Sequence, residues 1–544
     1  MTTEHYPVAI VGAGPVGLTV ANLLALFGVS CILIERSPGT STHPRAQTID
    51  DESLRTLQTF GGAPGFEHSI LPAQGSNYYD KNGDCFAQVG AGPKNYGFFK
   101  RNYMLQQQLD AALLARLETE STVTRRFGTL LQSFVCGEAG VELVLDDDQR
   151  VHCDYLLACD GGQSAIRKAL EIAMQGWTYE QDWIVLDALD DPDAEPISRF
   201  YCNPERPAVS IASPGGGRRY EFMLLPGEDR EAVLTDESLA QILSPFRPWQ
   251  AEKITRRAVY TFHARIAERL QHGRVFLLGD AAHLTPPFAG QGMNAGIRDA
   301  QNIAWKLAMV CKHGAGPKLL TSYEQERRKP IWQMIQLAVA MGEFVMPVGH
   351  EQVALKNSVL KALERFPQAR DWLFQMRFKP RPRYEAGVFV DLDEQGIEAS
   401  LVGEMLPQPK VVQANGTLCL LDDLLGPGFC LLVQDEHTEL AASRLDGPIW
   451  QTIQAGIVRL SFDEEETSGA SDVISARVPR GDEIENGSEN LLVARPLRSH
   501  RGQIVLVRPD RYVLGACFVE ELDGFAGRLD DLFELAGQAG SRSE

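Results

Sequence analysis

The feature that most constrains this chain is a glycine-rich turn that follows the first apolar segment. The segment Tyr6–Val11 reads YPVAIV and runs directly into GAGPVG, where Gly12, Gly14 and Gly17 have the spacing GxGxxG. A helical pattern, Leu18–Phe27, comes next and leads into a second apolar run. A strand, a glycine turn, a helix and a strand within about thirty residues predict a βαβ unit.

A βαβ unit with this turn predicts a dinucleotide site. The first glycine permits the tight turn, the second lets the backbone approach a pyrophosphate, and the third lets the helix pack on the strand. The start of the helix offers amide donors to the phosphates, and the acid that ends the second strand can bind both ribose hydroxyls. A purely structural glycine turn is the alternative, and the motif does not separate FAD from NAD. The residues expected to contact the dinucleotide are Gly12, Gly14, Pro15, Val16, Gly17, Glu35 and Arg36.

Two later apolar segments also end in turns that contain glycine and an acid. The segment Tyr155–Cys159 runs into Asp160 and Gly161, and the segment Arg274–Leu278 runs into a Gly-Asp pair. Because the carboxyl ends of parallel strands meet at one edge of a sheet, we expect the three turns to face the same ligand.

The third turn lies in a long motif that resembles the flavin-ribityl signature of the p-hydroxybenzoate hydroxylase family. The segment Leu278–Gly296 reads LGDAAHLTPPFAGQGMNAG. The resemblance implies that its aspartate binds a ribityl hydroxyl and that the backbone around GQG faces the flavin, where a helix N-terminus stabilises the anionic reduced ring. A Gly/Pro loop that only caps a helix is the alternative. The residues assigned to FAD in this way are Gly279, Asp280, Pro287, Gly290, Gln291, Gly292, Met293 and Asn294.

Three shorter matches are similar to the same family. The sequence CDGGQSAIR resembles its DG motif and assigns Asp160, Gly161 and Arg167 to FAD and to the nicotinamide cofactor. Arg45, in the sequence PRA, matches an arginine near the FAD phosphates, and Gln106 matches a glutamine that contacts the flavin. The alternatives are an ordinary Asp-Gly turn and surface residues without a ligand.

The resemblance covers nearly the whole chain and points to the 3-(3-hydroxyphenyl)propionate hydroxylases, with phenol hydroxylase more distant. The segments IDDE, LRT, RRYEFM, YEQER and RPDR carry it. It implies an α/β fold, with a Rossmann-like FAD-binding domain of the glutathione-reductase type, an inserted β-rich substrate domain and a thioredoxin-like C-terminal domain. That last domain lacks the CxxC that redox work needs, so we expect it to be structural or part of a dimer interface. The expected boundaries are 1–180 with 263–345 for the discontinuous FAD-binding domain, 181–262 for the substrate domain, 346–400 for a helical connector and 401–544 for the thioredoxin-like domain.

The activity implied by the resemblance is that of an FAD-dependent monooxygenase. In the family, NADH or NADPH reduces FAD, and the reduced flavin takes up O2 to give a C4a-hydroperoxide that hydroxylates a phenol ortho or para to its oxygen. A hydroxylase of another ring (resorcinol, a chlorophenol or a polycyclic polyketide) remains an alternative. A flavin dehydrogenase that does not use O2 and a non-catalytic binding module on the same fold are further alternatives.

Substrate activation and binding give a second set of expected residues. A phenolate is a better nucleophile than a phenol, and similarity to phenol hydroxylase makes Asp50 the expected base; an N-cap aspartate is the alternative, and both roles can coexist. A propionate-like carboxylate needs a cation, for which Arg219 is the candidate, with an ion pair as the alternative. Tyr220 and Pro286 complete the expected substrate contacts.

The composition argues against several other functions. The formal net charge of -20 disfavours nucleic acid and anionic membranes as partners. The sequence shows no cysteine and histidine spacing typical of zinc sites, no apolar run of membrane-spanning length and no signal peptide. We therefore expect a cytoplasmic protein without a metal. The resemblance implies a homodimer that acts on a phenolic small molecule and O2.

Overall fold

The computed structural model of the chain describes residues 4–41, 45–62, 65–146, 148–346, 350–363, 365–369, 380–392, 400–462 and 473–535. The strands are β1 (Glu4–Val11), β2 (Cys31–Glu35), β3 (Thr48–Asp50), β4 (Leu71–Pro72), β5 (Gly75–Tyr79), β6 (Cys85–Gly90), β7 (Arg101–Tyr103), β8 (Val123–Phe127), β9 (Leu131–Cys136), β10 (Val141–Leu145), β11 (Arg150–Ala158), β12 (Met174–Ala188), β13 (Ile197–Tyr201), β14 (Ala208–Ser213), β15 (Gly217–Met223), β16 (Ile254–Ala267), β17 (Gln271–His272), β18 (Val275–Leu277), β19 (His283–Leu284), β20 (Lys410–Gln413), β21 (Leu418–Leu420), β22 (Cys430–Val433), β23 (Gly456–Ser461), β24 (Val473–Arg477), β25 (Ile504–Val507) and β26 (Val513–Cys517). The helices are α1 (Pro15–Leu26), α2 (Asp51–Thr59), α3 (Gln106–Leu117), α4 (Ala165–Ala169), α5 (Asp236–Leu243), α6 (Gly292–Lys312), α7 (Ser322–Val345), α8 (His350–Leu363), α9 (Asp422–Leu425), α10 (Glu436–Ala442), α11 (Pro448–Ile453), α12 (Gly487–Ala494) and α13 (Leu522–Phe533).

The first sheet has the order β17-β18-β11-β1-β2-β8, and β10 and β9 extend it from β11. Strand β1 pairs in parallel with β2 and β11, and β11 pairs in parallel with β18. The central strands are buried on both faces, as is usual for parallel strands covered by helices. The predicted parallel sheet is thereby confirmed, and the carboxyl ends of β1, β2, β11 and β18 lie at one edge.

Helices α1 and α6 pack on each other next to this edge. Small residues allow the close approach. A Cβ atom built on Gly17 would lie 1.9 Å from the carbonyl oxygen of Gly12, and one built on Gly296 would lie 2.5 Å from Val16 Cγ2. The third glycine of the first turn therefore does what the sequence predicted: it lets the helix approach the strand.

The second sheet is largely antiparallel, with the order β19-β16-β12-β15-β14-β13-β5-β6. Its strands β12 to β16 come from the part of the chain where an inserted β-sheet was expected. Strands β5 and β6 were expected in the first domain, but β5 pairs in parallel with β13. The ring of Tyr78 on β5 stacks on that of Phe200 on β13, with 4.7 Å between the centroids. This long-range pairing and its aromatic contact draw the segment into the second sheet.

The third sheet has the order β21-β20-β24-β23-β22-β25-β26, and a small sheet has the order β3-β7-β4. Helices α9 to α13 lie in the same C-terminal part of the chain as the third sheet. The expected connector, 346–400, falls partly outside the described residues, which include its helix α8. None of the helices within the described ranges combines the length and the apolar character needed to cross a membrane.

Candidate active site

A cavity of about 1330 Å³ runs from the edge of the first sheet to the inner face of the second sheet. At one end it is lined by the first glycine turn and the end of β2. At the other end it is lined by β12 to β16 and by the turn before α6. Most of the residues predicted to bind the dinucleotide line it: Gly12, Gly14, Pro15, Val16, Glu35, Arg36, Arg45, Gln106, Asp160, Gly161, Asp280, Pro287, Gly290, Gln291, Gly292 and Met293.

The first glycine turn has a backbone that a side chain would disrupt. Gly12 has φ +105°, and a Cβ atom there would lie 2.3 Å from the carbonyl oxygen of Cys159. Helix α1 begins at Pro15 with Gly14 as its N-cap, and no side chain caps it. The first amides of a helix have no acceptor within the helix, so this end of α1 can bind an anion at the cavity wall.

The acid that ends β2 is held in place by two backbone amides. The carboxylate of Glu35 accepts hydrogen bonds from the N–H groups of Ala13 and Ser37, each at 2.8 Å. This fixes its position beside the glycine turn, where the sequence predicts a ribose contact. Arg45 reaches the opposite wall, where its guanidinium lies 3.3 Å from the Asp280 carboxylate.

The turn before α6 brings a second helix N-terminus to the cavity. Gly290 has φ +64°, which favours glycine, and Gln291 is the N-cap of α6 without a side-chain capping bond. Helix α6 has 21 residues, so its N-terminus presents unpaired amides and a partial positive charge. The side-chain oxygen of Gln291 accepts a hydrogen bond from Arg298 at 2.7 Å. This turn is suited to stabilise negative charge on a ligand.

Two shorter motifs hold the wall between these turns. The Gln106 side-chain oxygen accepts hydrogen bonds from the backbone N–H groups of Arg45 and Ala46, at 2.9 and 3.0 Å. The Asp160 carboxylate accepts one from the Ile166 N–H at 3.2 Å. Both side chains also line the cavity.

Four of the residues predicted to bind the dinucleotide do not line the cavity but hold the turns that do. Gly17 packs on Gly12, as described above. The guanidinium of Arg167 donates to the carbonyl oxygens of Gly162 and Ala281. The other two act through side-chain and backbone bonds: the amide of Asn294 donates to the Gly290 carbonyl oxygen at 2.7 Å, and the N–H of Gly279 donates to Asp299 at 3.0 Å.

Asp50 also lies outside the cavity wall. It is 3% exposed, and its carboxylate accepts from the Ser53 N–H at 2.9 Å as the N-cap of α2. The other carboxylate oxygen accepts from Arg298 at 2.8 Å. The structure thus shows the N-cap role of Asp50; because a base must reach the proton that it removes, its role as the base stays a prediction.

The three predicted substrate contacts have separate surroundings. Arg219 lines the cavity, but its guanidinium is paired with Asp187, at 2.6 and 2.8 Å, and donates to the Arg45 carbonyl oxygen at 2.7 Å. Tyr220 faces the other side of β15, because successive strand residues alternate, and its hydroxyl donates to Asp191. Pro286 is buried and does not line the cavity, although its neighbours Thr285 and Pro287 do. The structure therefore brings only Arg219 of these three to the cavity.

The inner face of the second sheet adds residues that the sequence prediction missed. Glu221 and Arg256 line the cavity, with the apolar side chains of Phe200 and Val209, and Phe288 joins them from the turn before α6. Glu221 lies two positions after Arg219 in one strand, so the alternation of strand residues could have predicted that both face the same side. No local pattern marks Arg256, Phe200 and Val209, because strands distant in sequence bring them together, whereas Phe288 lies within the flavin-signature segment.

Arg101 is a further cation of this wall. It lines the cavity, and its guanidinium donates to the Ala289 carbonyl oxygen at 3.4 Å. Among the described residues it forms no ion pair. This differs from Arg219, whose charge Asp187 already balances.

The donor set of the cavity fits FAD. One end offers a glycine turn, the amides of α1 and a fixed carboxylate, which suit a pyrophosphate and a ribose. The middle carries Asp280, a carboxylate suited to ribityl hydroxyls, and the N-terminus of α6 suits the electron-rich edge of a flavin. No group of three or more metal-ligating side chains is found in the described ranges. These residues would therefore hold the cofactor from its adenosine end to its ring.

Comparisons with known proteins agree with this fit. Residues 5–338 match the FAD binding domain family, and residues 403–532 match the HcaD C-terminal domain family. A relative from Comamonas testosteroni, named 3-(3-hydroxy-phenyl)propionate/3-hydroxycinnamic acid hydroxylase, is 35% identical over 95% of this chain and 95% of its own. A second enzyme of that name, from Burkholderia vietnamiensis, is 36% identical over 93% of this chain and 92% of its own.

Two solved structures share the fold over 98% of the chain. The flavin-dependent monooxygenase PieE, in complex with FAD and substrate, has a TM-score of 0.76 at 21% identity and covers 98% of this chain and 100% of its own. Aklavinone-11 hydroxylase, with FAD and aklavinone, has a TM-score of 0.75 at 23% identity, with the same coverage. At these identities the likeness concerns the fold.

Proposed function

Because the chain belongs to the FAD-dependent monooxygenases that hydroxylate aromatic rings, we propose that its substrate is 3-(3-hydroxyphenyl)propionate or a similar phenolic acid. The observation that carries this proposal is the identity of 35–36% to enzymes named for this substrate, over more than nine-tenths of both chains. The cavity supports it, since the predicted FAD site continues into a pocket with an aromatic and apolar wall.

The overall reaction takes two electrons from NADH or NADPH. It transfers one oxygen atom of O2 to a ring carbon and releases the other as water. When bound, FAD supplies the hydride acceptor and the activation of O2. The chain supplies the surroundings of the reaction. The N-terminus of α6 stabilises negative charge. Phe200, Val209 and Phe288 pack on the aromatic ring of the substrate and exclude water.

A phenolic acid has a carboxylate that needs a cation in this largely apolar pocket. Arg101 supports the proposal because its charge has no ion-pair partner among the described residues. A planar guanidinium binds a carboxylate through two parallel hydrogen bonds. Arg219, which the sequence suggested for this role, already donates hydrogen bonds to Asp187 and to the Arg45 carbonyl oxygen. We therefore assign the carboxylate to Arg101.

The finer division of the fold belongs to the same proposal. The second sheet supports a substrate-binding domain inserted between 181 and 262, to which β5 and β6 are added from earlier in the chain. The third sheet, which is mixed, and the helices α9 to α13 support a thioredoxin-like C-terminal domain, for which no redox role is proposed. The expected homodimer and cytoplasmic location stay predictions; light scattering and cell fractionation test them.

The test of the function is product formation by the FAD-loaded protein. Hydroxyphenylpropionates, 3-hydroxycinnamate, resorcinol, a chlorophenol and a polycyclic phenol are each offered with NADH or NADPH under air. We expect one hydroxylated product per nicotinamide oxidised with 3-(3-hydroxyphenyl)propionate, and slower turnover with the neutral phenols. Nicotinamide oxidation without hydroxylated product from any phenolic acid would contradict the proposal.

A further inference from the structure

One carboxylate of the cavity wall has no hydrogen-bond or ion-pair partner in the part of the chain that the structure describes. Glu221 lies in the middle of β15, is 6% exposed and lines the cavity. Among the described residues its carboxylate accepts no hydrogen bond and joins no ion pair. A buried carboxylate without a partner is costly, so a side chain kept in this position is suited to a ligand that brings a donor.

The surroundings of Glu221 make this position unusual. Val185 on β12 and Val209 on β14 lie directly opposite it in the sheet, and Phe200 on β13 lies beyond Val209. The whole row faces the cavity. A carboxylate in the centre of an apolar row is suited to meet one polar group on an otherwise apolar ligand, as a phenol is.

The charged groups near Glu221 lie in the adjacent row of the same sheet face. They are Arg219 on its own strand, Asp187 on β12 and Arg256 on β16. The residues of β14 and β13 that line the cavity carry no charge: Val209, Ile211, Ser198 and Phe200. Arg219 is engaged by Asp187, and the guanidinium of Arg256 donates to the Tyr260 hydroxyl and lies 4.0 Å from Asp187. Burial raises the pKa of Glu221, and the charge of Arg219 opposes this rise. A carboxylate with a raised pKa is a stronger base toward a phenol.

We propose that Glu221 binds the phenolic hydroxyl of the substrate and takes its proton, an inference that rests on the proposed function. The O–H bond breaks, the proton passes to a carboxylate oxygen of Glu221, and the electron pair stays on the phenolic oxygen. There it raises the electron density at the ortho and para carbons, one of which takes up the oxygen atom. The ring becomes aromatic again when that carbon loses its hydrogen to water as a proton and Glu221 returns its proton to the phenolic oxygen.

The assignment gives the ring a direction in the pocket. The phenolic end meets Glu221, and the acid side chain must lie away from it, because two carboxylates in one apolar site repel each other. Arg101, which joins no ion pair with any residue that the structure describes, lies on a different element of the wall, β7. Glu221, which accepts a proton, and Arg101, which binds an anion, thus bind the two ends of one phenolic acid.

The test compares Glu221→Gln and Glu221→Asp with the parent in the FAD-loaded form, over a range of pH. At pH 7 we expect Glu221→Gln to lower the rate of product formation about 100-fold or more, the usual weight of a general base. The rate should recover as the pH approaches that of free phenol ionisation, near 10. Glu221→Asp keeps a carboxylate and should keep the pH profile at a reduced rate. Bound FAD, measured by absorbance, should stay unchanged in both.

The control is Tyr220→Phe, the next residue on the opposite face of the same strand. It removes a buried hydrogen bond to Asp191 and should lower thermal stability without changing the pH profile. An unchanged rate in Glu221→Gln, or a loss of equal size at every pH, would overturn the inference. If Glu221→Gln does not fold, Glu221→Asp is the test. A reduced rate with the pH profile of the parent supports the inference, and any other result overturns it. If the parent protein hydroxylates no phenolic acid, the proposed function itself fails, which is a distinct result.

Discussion

Two arginines of the cavity wall differ in what their guanidinium groups already bind. Arg219 is paired with Asp187, whereas Arg101 has one long bond to a carbonyl oxygen. We expect Arg101→Gln to raise KM for 3-(3-hydroxyphenyl)propionate at least about tenfold, because it removes charge-assisted hydrogen bonds to the carboxylate. KM for the neutral 3-ethylphenol should change little. Steady-state kinetics with both substrates measure the ratio.

The matched control for Arg101 is Arg199→Gln. Arg199 lies on β13 between two residues that line the cavity, so it faces the other side of the sheet, and it pairs with Asp193 and Glu195. Its replacement should leave the ratio of the two KM values unchanged. An equal rise of both KM values in Arg101→Gln would show a structural effect and contradict the assignment of the carboxylate.

Asp50 gives a second prediction at the scale of the residue. In Asp50→Asn the new side chain still caps α2, since Asn and Asp are equivalent caps, but Arg298 loses its nearer carboxylate partner. We expect a loss on the order of 3 kcal/mol in the free energy of unfolding, as for a broken buried ion pair, measured by urea denaturation. The pH profile of hydroxylation should keep its shape. A rate that falls at neutral pH and recovers in alkali would restore Asp50 as the base.

The sequence could predict which residues form turns, but not which carboxylate meets the ligand. The glycine spacing and Glu35 depend on local chain geometry, and the structure places them at the cavity as expected. Whether Asp50 or Glu221 faces the substrate depends on how the second sheet packs over the first. That packing joins residues more than 150 positions apart, and no local pattern in one sequence records it.

At the scale of the element, the contact between α1 and α6 holds the two turns in register. A Cβ on Gly296 would lie 2.5 Å from Val16 Cγ2 and 3.0 Å from Gly279 Cα. We expect Gly296→Ala to push α6 away from the first turn, to weaken FAD binding about tenfold or more and to lower thermal stability, as overpacking does. Titration of the apoprotein with FAD, followed by flavin fluorescence, measures the first effect.

A glycine in another helix provides the control. Gly527 lies in α13, and among the described residues no atom outside its own stretch of helix and its chain neighbours lies within 4 Å of a Cβ built on it. Gly527→Ala should leave FAD affinity unchanged and stabilise the helix by up to about 1 kcal/mol. Normal FAD affinity in Gly296→Ala would show that the spacing of the two helices does not control the cofactor site.

The elements themselves were predictable to different degrees. The βαβ unit and the strands before the two later turns follow from apolar runs that end in glycine, and the structure confirms them. Strands β5 and β6 were not predicted as part of the second sheet. Strand β5 pairs with β13, which lies more than 100 residues away, and a parallel pairing of this kind leaves no turn signal between the two strands.

At the scale of the whole molecule, buried ion pairs join the C-terminal part to the rest. Glu326 on α7 binds Lys306 on α6 and Arg508, which follows β25, and each of these side chains is fully buried. Arg55 on α2 binds Asp422 on α9 in the same way. Removing one partner of a buried pair leaves an uncompensated charge. The C-terminal sheet is therefore held to helices that also shape the FAD site.

The pH dependence of stability follows from the first of these clusters. Burial opposes the ionisation of Glu326, but the charges of Arg508 and Lys306 outweigh it and lower the pKa of Glu326 to about 2, while an unfolded glutamate titrates near 4.3. A lowered folded-state pKa contributes stability that is complete above the unfolded pKa and is lost as the pH falls toward the folded one. We expect Glu326→Gln to lower the free energy of unfolding at pH 7 by about 3 kcal/mol or more, measured by urea denaturation. Its deficit in unfolding free energy relative to the parent should shrink between about pH 5 and pH 2.5.

The control is Glu520→Gln, at an exposed position, which should show no such pH-dependent difference. A Glu326→Gln deficit that stays constant over this pH range would contradict the ion-pair explanation.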